Sequence, residues 1–498
     1  MRSTFFGMEV ARRALMAQQR AMDVASHNIA NANNPAYSRQ RASMVASAPY
    51  APPGSEPAGQ AGQAGTGVWV AAIERLRDSF LDQRMRQEGA LLGYWQVQRD
   101  TLAQVERLVA EPSDQGLQAA LDQFWQALQD LSTQPDSRAA RELVVRRGEV
   151  LAFSVRQLFE RVQRLRLDLE SAASLKVQQA NQLARQVALL NGQIARVAGS
   201  GQRPNDLLDE RDQLLEQLAG LLGVQVHFRP VGDSGLADVV TVSLNGVALV
   251  DGERAYSLVL QGDPGEQVLR AGIPAGPVLS PGGEVGAYLE LRGTAVNPAS
   301  ASGFLGEFLR DLDQLVRELG SRINEVHRQG YPLGGSAPGD LPFFAALSGQ
   351  NVPNDDDGDG WVADDLQVEP TLLASPDQLA AALSSDSPGD GTNALAMARI
   401  KFERLSGLGD ATAGDFLASL VGRLGVRSLQ ARTMADNQEL VVQELRTLRE
   451  SLSGVSLDEE MADLVRLEHA YGAAARVMTA MDSVLDTLIQ RTGLVGRA

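Results

Sequence analysis

Three carboxylates have the spacing that acid–base chemistry requires. Asp209, Asp212 and Glu216 lie three and four residues apart and so share one face of a predicted helix. Two carboxylates placed in this way can act as general acid and general base. A structural explanation is favoured, because acidic residues near a helix start interact well with the helix dipole, and Asn205 or Asp206 can cap its N–H groups.

A second acidic segment has the first half of a calcium-binding loop. Asp355, Asp357 and Asp359 occupy loop positions 1, 3 and 5, and Gly360 occupies position 6. Position 12 is Leu366, where such loops need a bidentate Glu. The three aspartates are therefore candidate Ca²⁺ ligands, and a solvated acidic turn is the alternative.

The remaining chemistry-bearing residues do not form a recognisable catalytic pattern. The histidines are far apart in sequence and lack metal-ligand spacing: His27, His227, His327 and His469. The sequence contains no nucleophile elbow, phosphate-binding loop or dinucleotide fingerprint. We therefore expect no enzyme activity, no cofactor and no metal beyond the candidate Ca²⁺ ligands.

Composition limits the class of protein. A chain of 498 residues is too long for one core, so two to four domains are expected. A net charge of -17 argues against nucleic acid as a partner, and the lack of a long apolar run argues against membrane insertion. The chain has no cysteine, which excludes disulfides and thiolate metal sites. The Arg-rich start lacks the apolar core of a secretory leader, so export by the general secretory route is not expected.

Apolar residues repeat every seven positions at both ends of the chain. The N-terminal repeat consists of Met8, Leu15, Met22 and Ile29, with Ala11 and Ala25 three residues after two of them. The C-terminal repeat consists of Leu457, Leu464, Tyr471, Met478 and Leu485, with Leu467, Ala474, Met481 and Leu488 three residues after the last four. Such stripes predict amphipathic helices that need a partner. The obvious partner of each end is the other end, and an ordinary pair of core helices is the alternative.

Between the ends the hydrophobic period changes from helical to alternating and back. The patterns predict a short strand at 68–73, a helix over about 80–131 that breaks near Pro112, and a very long helix through 151–197. Alternation from 223 to about 291 predicts antiparallel strands, with a type I′ hairpin turn at Asn245 and Gly246. Helices are predicted again at 305–326 and 393–452.

We predict an α+β multidomain fold with four parts. Residues 1–50 with 453–498 would form a terminal coiled-coil domain. Residues 51–223 with 300–330 and 391–452 would form a helical rod domain. Residues 224–299 would form an inserted antiparallel β domain, and 331–390 a small loop-rich insertion.

Several segments resemble flagellar proteins. The N-terminal segment resembles the signature of flagellar rod, hook and hook-associated proteins at Asn28, Ile29, Asn31, Pro35 and Tyr37. The segment 205–214 resembles the hook-associated protein 1 family at Asn205, Asp206, Leu207, Asp209, Arg211 and Asp212. Further similar segments are 67–70, Asn324 to Tyr331 and 453–460. The usual Gly of the N-terminal turn is replaced by Ala36, which would resist a positive φ, so the turn is expected to differ in detail.

The resemblance implies a structural protein that is secreted by the flagellar type III export apparatus. It also implies an export chaperone that binds the C-terminal helices and a position at the distal end of the hook. The implied neighbours are further copies of the chain, the hook protein and the second junction protein, hook-associated protein 3. The terminal stripes would then be assembly seams.

Three alternatives remain open at this stage. A hook or distal-rod protein is expected to lack the long helix and the 205–215 segment. A flagellum-associated peptidoglycan hydrolase would need an acidic catalytic cleft. A solitary coiled-coil adhesin or secreted effector would share only the export route.

Overall fold

The computed structural model describes residues 5–49, 65–109, 116–232, 237–264, 267–272, 276–293, 302–346 and 363–491. The chain divides into two compact units. The first unit is built from Met1–Gly89, Asn181–Tyr256 and Leu440–Ala498, and the second from Ala90–Ala180 and Ser257–Glu439.

Most of the described residues are helical. The helices are α1 (Phe6–Ala30), α2 (Ser79–Val109), α3 (Leu117–Thr133), α4 (Arg138–Gly199), α5 (Asn205–Leu222), α6 (Gly283–Arg292), α7 (Phe304–Arg328), α8 (Pro370–Ala374), α9 (Thr392–Arg399), α10 (Ala413–Ser453) and α11 (Leu457–Arg491). The long predicted helix is confirmed as α4, which has 62 residues. The break predicted near Pro112 lies outside the described residues.

The strands are short and antiparallel. They are β1 (Gln40–Ala46), β2 (Val68–Arg75), β3 (Gln225–Pro230), β4 (Asp238–Leu244), β5 (Val247–Asp251), β6 (Arg254–Ala255), β7 (Leu258–Gln261), β8 (Val268–Ala271), β9 (Val278–Leu279), β10 (Phe344–Ala346) and β11 (Leu366–Val368). The sheets are β1-β2, β3-β4-β5-β6, β7-β8-β9 and β10-β11. The α+β fold predicted from the sequence is therefore confirmed.

The predicted hairpin is confirmed in detail. Strands β4 and β5 pair with Leu244 opposite Val247. The two residues between them have positive φ angles, 49° at Asn245 and 80° at Gly246. Positive φ at both central positions defines a type I′ turn, whose twist matches that of the flanking strands.

One part of the predicted β region is helical. Residues Gly283–Arg292 form α6, whereas alternation had predicted strands to about 291. Val285, Ala287, Leu289 and Leu291 do alternate, but Ala287 and Leu291 also have helical spacing and are both buried. A short apolar run satisfies both periods, so the sequence alone could not decide between them.

The largest core lies in the second unit and is formed mainly by α3, α4, α7 and α10. The helix predicted at 305–326 is confirmed as α7, and the apolar residues that recur on one of its faces are all buried: Phe308, Leu312, Leu315, Leu319, Ile323 and Val326. Phe124 of α3 packs against Phe343 and Phe344, with ring centroids 5.4 and 5.9 Å apart. The loop-rich segment 331–390 is thereby attached to this core.

Candidate assembly site at the paired termini

The two terminal helices pack along each other in opposite directions. Gly7 of α1 lies against Met481 of α11. Three heptads further along α1, the Asn28 Nδ2 donates to Glu460 Oε2 at 3.0 Å. Glu460 is likewise three heptads before Met481, so both contacts fit one antiparallel register.

This register places small residues of α1 against α11. Four of them repeat every seven residues: Gly7, Ala14, Ala21 and Asn28. Two alanines, Ala11 and Ala25, lie between these positions. The larger predicted residues of α11, such as Leu464, Leu467 and Met478, are half-buried beside them. Small residues let two helix backbones approach closely, while longer side chains from the other helix fill the space.

The large residues of the N-terminal repeat lie one position away from this small-residue heptad. Met8, Leu15, Met22 and Ile29 are only half-buried in the chain. On α11, Leu457, Tyr471, Met481 and Leu488 are exposed, and Leu485 is half-buried. Helix α1 therefore carries two parallel stripes, and the stripe of small residues is the one that packs against α11 within the chain.

The β1-β2 hairpin covers a different side of α1. Gly67 approaches the Val10 carbonyl and the Arg13 Cβ so closely that a side chain there would touch both. Arg13 also donates to the Thr66 carbonyl at 3.4 Å. Ala17 and Val24 are buried and lie one and two heptads after Val10, so they share the side of α1 that this second neighbour approaches.

Asn28 joins the end of α1 to both β1 and α11. Its Nδ2 donates to the Gln40 carbonyl at 2.9 Å as well as to Glu460, and its Oδ1 accepts from the Gln40 N–H at 3.0 Å. The Tyr37 hydroxyl donates to the same Oδ1 at 2.7 Å. All hydrogen-bonding positions of this buried amide are thus filled. Burial, together with nearby carboxylates, raises the pKa of Tyr37 well above its usual value.

The turn before these residues needs no left-handed backbone. Asn34 Oδ1 accepts from the Ala36 N–H at 3.1 Å, and the Asn34 carbonyl accepts from the Tyr37 N–H at 3.0 Å. Ala36 does not adopt a positive φ. Asn31, another family residue of this segment, lies at the C-terminal cap of α1 and donates from Nδ2 to the His27 carbonyl at 3.0 Å.

Ser38 fastens this turn to helix α5. Its N–H and hydroxyl donate to the two oxygens of Asp209 at 2.9 and 2.7 Å. Arg75, at the end of β2, bridges Asp209 and Asp212 at 2.8 and 3.0 Å. Arg77 binds Asp212 at 3.0 Å, and nearby carboxylates raise its pKa although burial opposes this.

The start of α5 is held differently from the prediction. Asn205 does not cap the helix, whose N-cap is Pro204 without a side-chain hydrogen bond. Instead, Asn205 Nδ2 donates to Gln40 Oε1 and to the Ile73 carbonyl, each at 3.0 Å. Asp206 accepts from Gln40 Nε2 at 2.9 Å. The side chains that looked like caps are used for tertiary contacts.

Arg39 completes the connection to the C-terminal helices. Its side chain binds Glu460 at 2.7 Å and Glu459 at 2.8 Å. Its N–H donates to the carbonyl of Ser453, the last residue of α10, at 2.9 Å. We call the buried network of these segments the first polar cluster, consisting of Asn28, Tyr37, Ser38, Arg39, Gln40, Arg75, Arg77, Asn205, Asp209, Asp212 and Glu460.

Arg211 reaches the opposite side of α5. Its guanidinium donates to the Asp238 carbonyl and lies over the Phe228 ring, 5.7 Å from the centroid. It also approaches Asn191 of α4, which binds the Val240 N–H and carbonyl at 3.1 and 3.0 Å. Burial lowers the pKa of Arg211 to about 10. Leu207 contributes apolar contact to the neighbouring cluster on α4.

The geometry favours the structural reading of the acidic residues. Asp209 and Asp212 are paired with guanidinium groups, and Glu216 pairs with Arg449. In the part of the chain that the structure describes, no three His, Asp or Glu residues are grouped to hold a metal. The candidate Ca²⁺ ligands Asp355, Asp357 and Asp359 lie outside that part, whereas Leu366 belongs to β11.

Sequence reasoning missed Arg75 and Arg77. Arg75 is the last residue of β2, the predicted strand of 68–73 extended by two residues, and Arg77 lies two residues beyond it. Arg75 and Arg77 are two positions apart, and Asp209 and Asp212 are three positions apart on one face of α5. Two cations and two carboxylates with such similar spacing can form ion pairs with each other, and this is the sequence signal that could have identified the arginines.

The second unit contains a different buried network, which we call the second polar cluster. Asn324 Oδ1 accepts from the N–H groups of Phe343 and Phe344, and its Nδ2 donates to the Phe344 carbonyl, all at 2.8 Å. His327 Nδ1 lies 2.8 Å from the Leu341 carbonyl, and its Nε2 accepts from the Ala380 N–H at 3.1 Å. These contacts require the neutral Nδ1–H tautomer. Burial lowers the pKa of His327 to about 4.

Comparison with protein families supports the reading of the termini. Residues 8–37 match the family described as flagella basal body rod protein, and residues 450–491 match the family described as flagellar basal body rod FlgEFG protein C-terminal. Residues 102–344 match the family described as flagellar hook-associated protein FlgK helical domain. Paired termini and these matches define a protein of the flagellar rod, hook and hook-associated class.

Individual relatives show which family of this class the chain belongs to. The chain is 33% identical over 517 residues to flagellar hook-associated protein 1 of Bacillus subtilis, with all of both chains covered. It is 26% identical over 561 residues to the protein of that name from Escherichia coli K12, covering 96% of this chain and 98% of the relative. The chain belongs to the flagellar hook-associated protein 1 family. Its relatives are structural proteins, which confirms the prediction that the chain is not an enzyme.

A solved structure has a similar fold. The flagellar hook junction protein FlgK from Burkholderia pseudomallei aligns with a TM-score of 0.60 at 17% identity, covering 76% of this chain and 100% of that chain. Among the described residues, no helix is long and apolar enough to cross a membrane.

Proposed function

We propose that the chain polymerises at the distal end of the flagellar hook and joins the hook to the filament. The observation that carries the proposal is the terminal pair of α1 and α11, which the first polar cluster attaches to α5. Membership of the hook-associated protein 1 family supports the same location. Assembly would be driven by apolar surface that each copy leaves uncovered, at about 25 cal/mol per Å².

The second stripe of α1 is the proposed contact with a neighbouring copy. Met8, Leu15, Met22 and Ile29 are half-buried in one chain, so further burial in a polymer is available to them. The matching surface on a neighbour would be the exposed apolar residues near the end of α11 that do not pack on Gly7: Val477, Val484 and Leu488. The α1 stripe is about 32 Å long, and the exposed α11 residues from Val477 to Leu488 span about 17 Å, so they would cover about half of it.

The partners follow from the proposed location. The hook protein would lie on one side and hook-associated protein 3, the second junction protein, on the other. Before assembly, an export chaperone would cover the exposed side chains of α11, and the flagellar type III export apparatus would secrete the chain. The absence of cysteine suits a chain that is exported unfolded.

The four-part domain division also remains a proposal. The terminal coiled coil of 1–50 with 453–498 would line the tube, and the helical rod domain would surround it. The β domain of 224–299 and the insertion of 331–390 would face outward.

Deletion of the gene tests the location. We expect cells with hooks but without filaments, and flagellin released into the medium, as seen by electron microscopy and immunoblotting. Cells that keep normal filaments would reject the junction assignment.

A substitution in the second stripe tests the assembly seam separately. Leu15→Asp places a charge where a neighbour would pack, so we expect it to abolish filament attachment in the deletion strain. Leu175→Asp is the matched control, because Leu175 is 65% exposed on α4 outside the stripe. Circular dichroism of both purified proteins checks folding. If the Leu15→Asp protein restores filaments, the stripe of Met8, Leu15, Met22 and Ile29 is not a contact between copies.

A further inference from the structure

The terminal helices hold much of the oxidisable sulfur of the chain. The protein has 11 methionines and no cysteine, so thioethers are its only sulfur groups. Met8, Met16 and Met22 lie on α1, and Met461, Met478 and Met481 lie on α11. Without competing thiols, a peroxide that reaches the protein reacts with sulfur only at methionine.

The sulfur of Met481 lies against the backbone of α1. A Cβ built on Gly7 would lie 2.9 Å from the Met481 Cε and 3.3 Å from its Sδ. The thioether therefore packs directly on the bare backbone of α1. Its side chain is nevertheless 38% exposed, so a small oxidant can reach it.

We propose that Met481 is an oxidation site at which conversion to the sulfoxide opens the end of the α1–α11 pair. A sulfur lone pair attacks one oxygen of hydrogen peroxide, the O–O bond breaks, and water leaves after proton transfer. The sulfur is oxidised by two electrons and the peroxide is reduced. The product is a polar, chiral group in place of a flexible apolar one.

The packing explains why this site has a structural effect. The sulfoxide oxygen must lie beside the Gly7 backbone or turn toward water, and either change separates the thioether from α1. Burying the oxygen without a hydrogen-bond donor is unfavourable, so the turn toward water is preferred. Met461, which is 52% exposed on the same helix, offers a matched site that is more accessible to the oxidant.

The test uses the purified full-length chain treated with hydrogen peroxide. Peptide mass spectrometry measures sulfoxide at each methionine, and amide hydrogen exchange measures protection along α1. We expect oxidation of both Met461 and Met481, while Met397, which is 0% exposed, stays reduced. Protection of residues 7–14 should fall about tenfold in proportion to Met481 sulfoxide. Methionine sulfoxide reductase should restore it.

Variants separate the two sites. Met481→Leu conserves volume and should keep protection of residues 7–14 after peroxide, whereas Met461→Leu should lose it as the unmodified chain does. The proposal is overturned if Met481 stays reduced, if residues 7–14 are unprotected before oxidation, or if the loss follows Met461 instead.

Discussion

The two polar clusters hold the chain together by different chemistry. The first pairs carboxylates with guanidinium groups and joins segments far apart in sequence, as Ser38 and Asp209 are. The second uses a neutral amide and a neutral imidazole, Asn324 and His327, to hold the loop that follows α7. Removing a charged side chain from the first polar cluster upsets its balance of buried charges. The second polar cluster is instead disrupted when His327 gains a proton. The clusters should therefore fail under different conditions.

The largest expected effect is the loss of Asp209. Asp209→Ala leaves both Ser38 donors without an acceptor in a buried site and leaves Arg75 paired with Asp212 alone, which should cost roughly 3 to 5 kcal/mol in the first unit. The slowest-exchanging amides of α5 measure this free energy. Asp206→Ala is the control, because the Asp206 side chain is 68% exposed and should cost less than about 1 kcal/mol. Equal losses in the two variants would contradict the assignment.

The next effect is the pH dependence that His327 gives to the second unit. The pKa of His327 is about 4 in the folded chain and 6.5 ordinarily. Between these values the unfolded chain binds a proton at His327 that the folded chain does not, so the stability that His327 contributes is lost as pH falls from about 6.5 to about 4. The loss attributable to this group should approach about 3 kcal/mol.

Amide exchange of α7 at several pH values measures this loss. His327→Gln should weaken the unit at neutral pH but remove the contribution of this group to the pH dependence. An unchanged slope in His327→Gln would show that other groups cause it.

The smallest effect concerns the turn that leads into the first cluster. Ala36→Gly should destabilise the first unit by about 0.5 to 1 kcal/mol, because glycine gains freedom only in the unfolded chain when no positive φ is needed. Exchange of the Tyr37 N–H, which closes the turn, reports the change. Stabilisation by glycine would mean that the turn needs a left-handed residue after all.

The sequence predicted the parts whose signal is local. Periodicity identified α4 and the apolar face of α7, and the Asn-Gly pair identified the hairpin turn. The terminal helices were also predicted from their heptads. Each of these signals is contained within a few turns of helix or one hairpin, so no tertiary information is needed.

The parts that could not be predicted depend on neighbours distant in sequence. Small residues such as Ala21 become a contact surface of α1 because α11 packs on that side, while the β1-β2 hairpin covers another side of the helix. Asn205 is a residue type that often caps helices, but its side-chain amide donates to Gln40 and to the Ile73 carbonyl instead. The resemblance to the family singled out residues in the segments 28–37 and 205–212. Only the folded structure shows that these two segments contact each other.

The central claim is that the segments 28–40, 205–212 and 453–460 act together to fasten the terminal helices. Site-resolved amide exchange of the Asp209→Ala protein tests it most directly. The claim predicts that protection is lost at residues 27–40 and at the start of α11, while residues 324–344 keep theirs. Unchanged protection of the terminal helices, or an equal loss in both clusters, would contradict it.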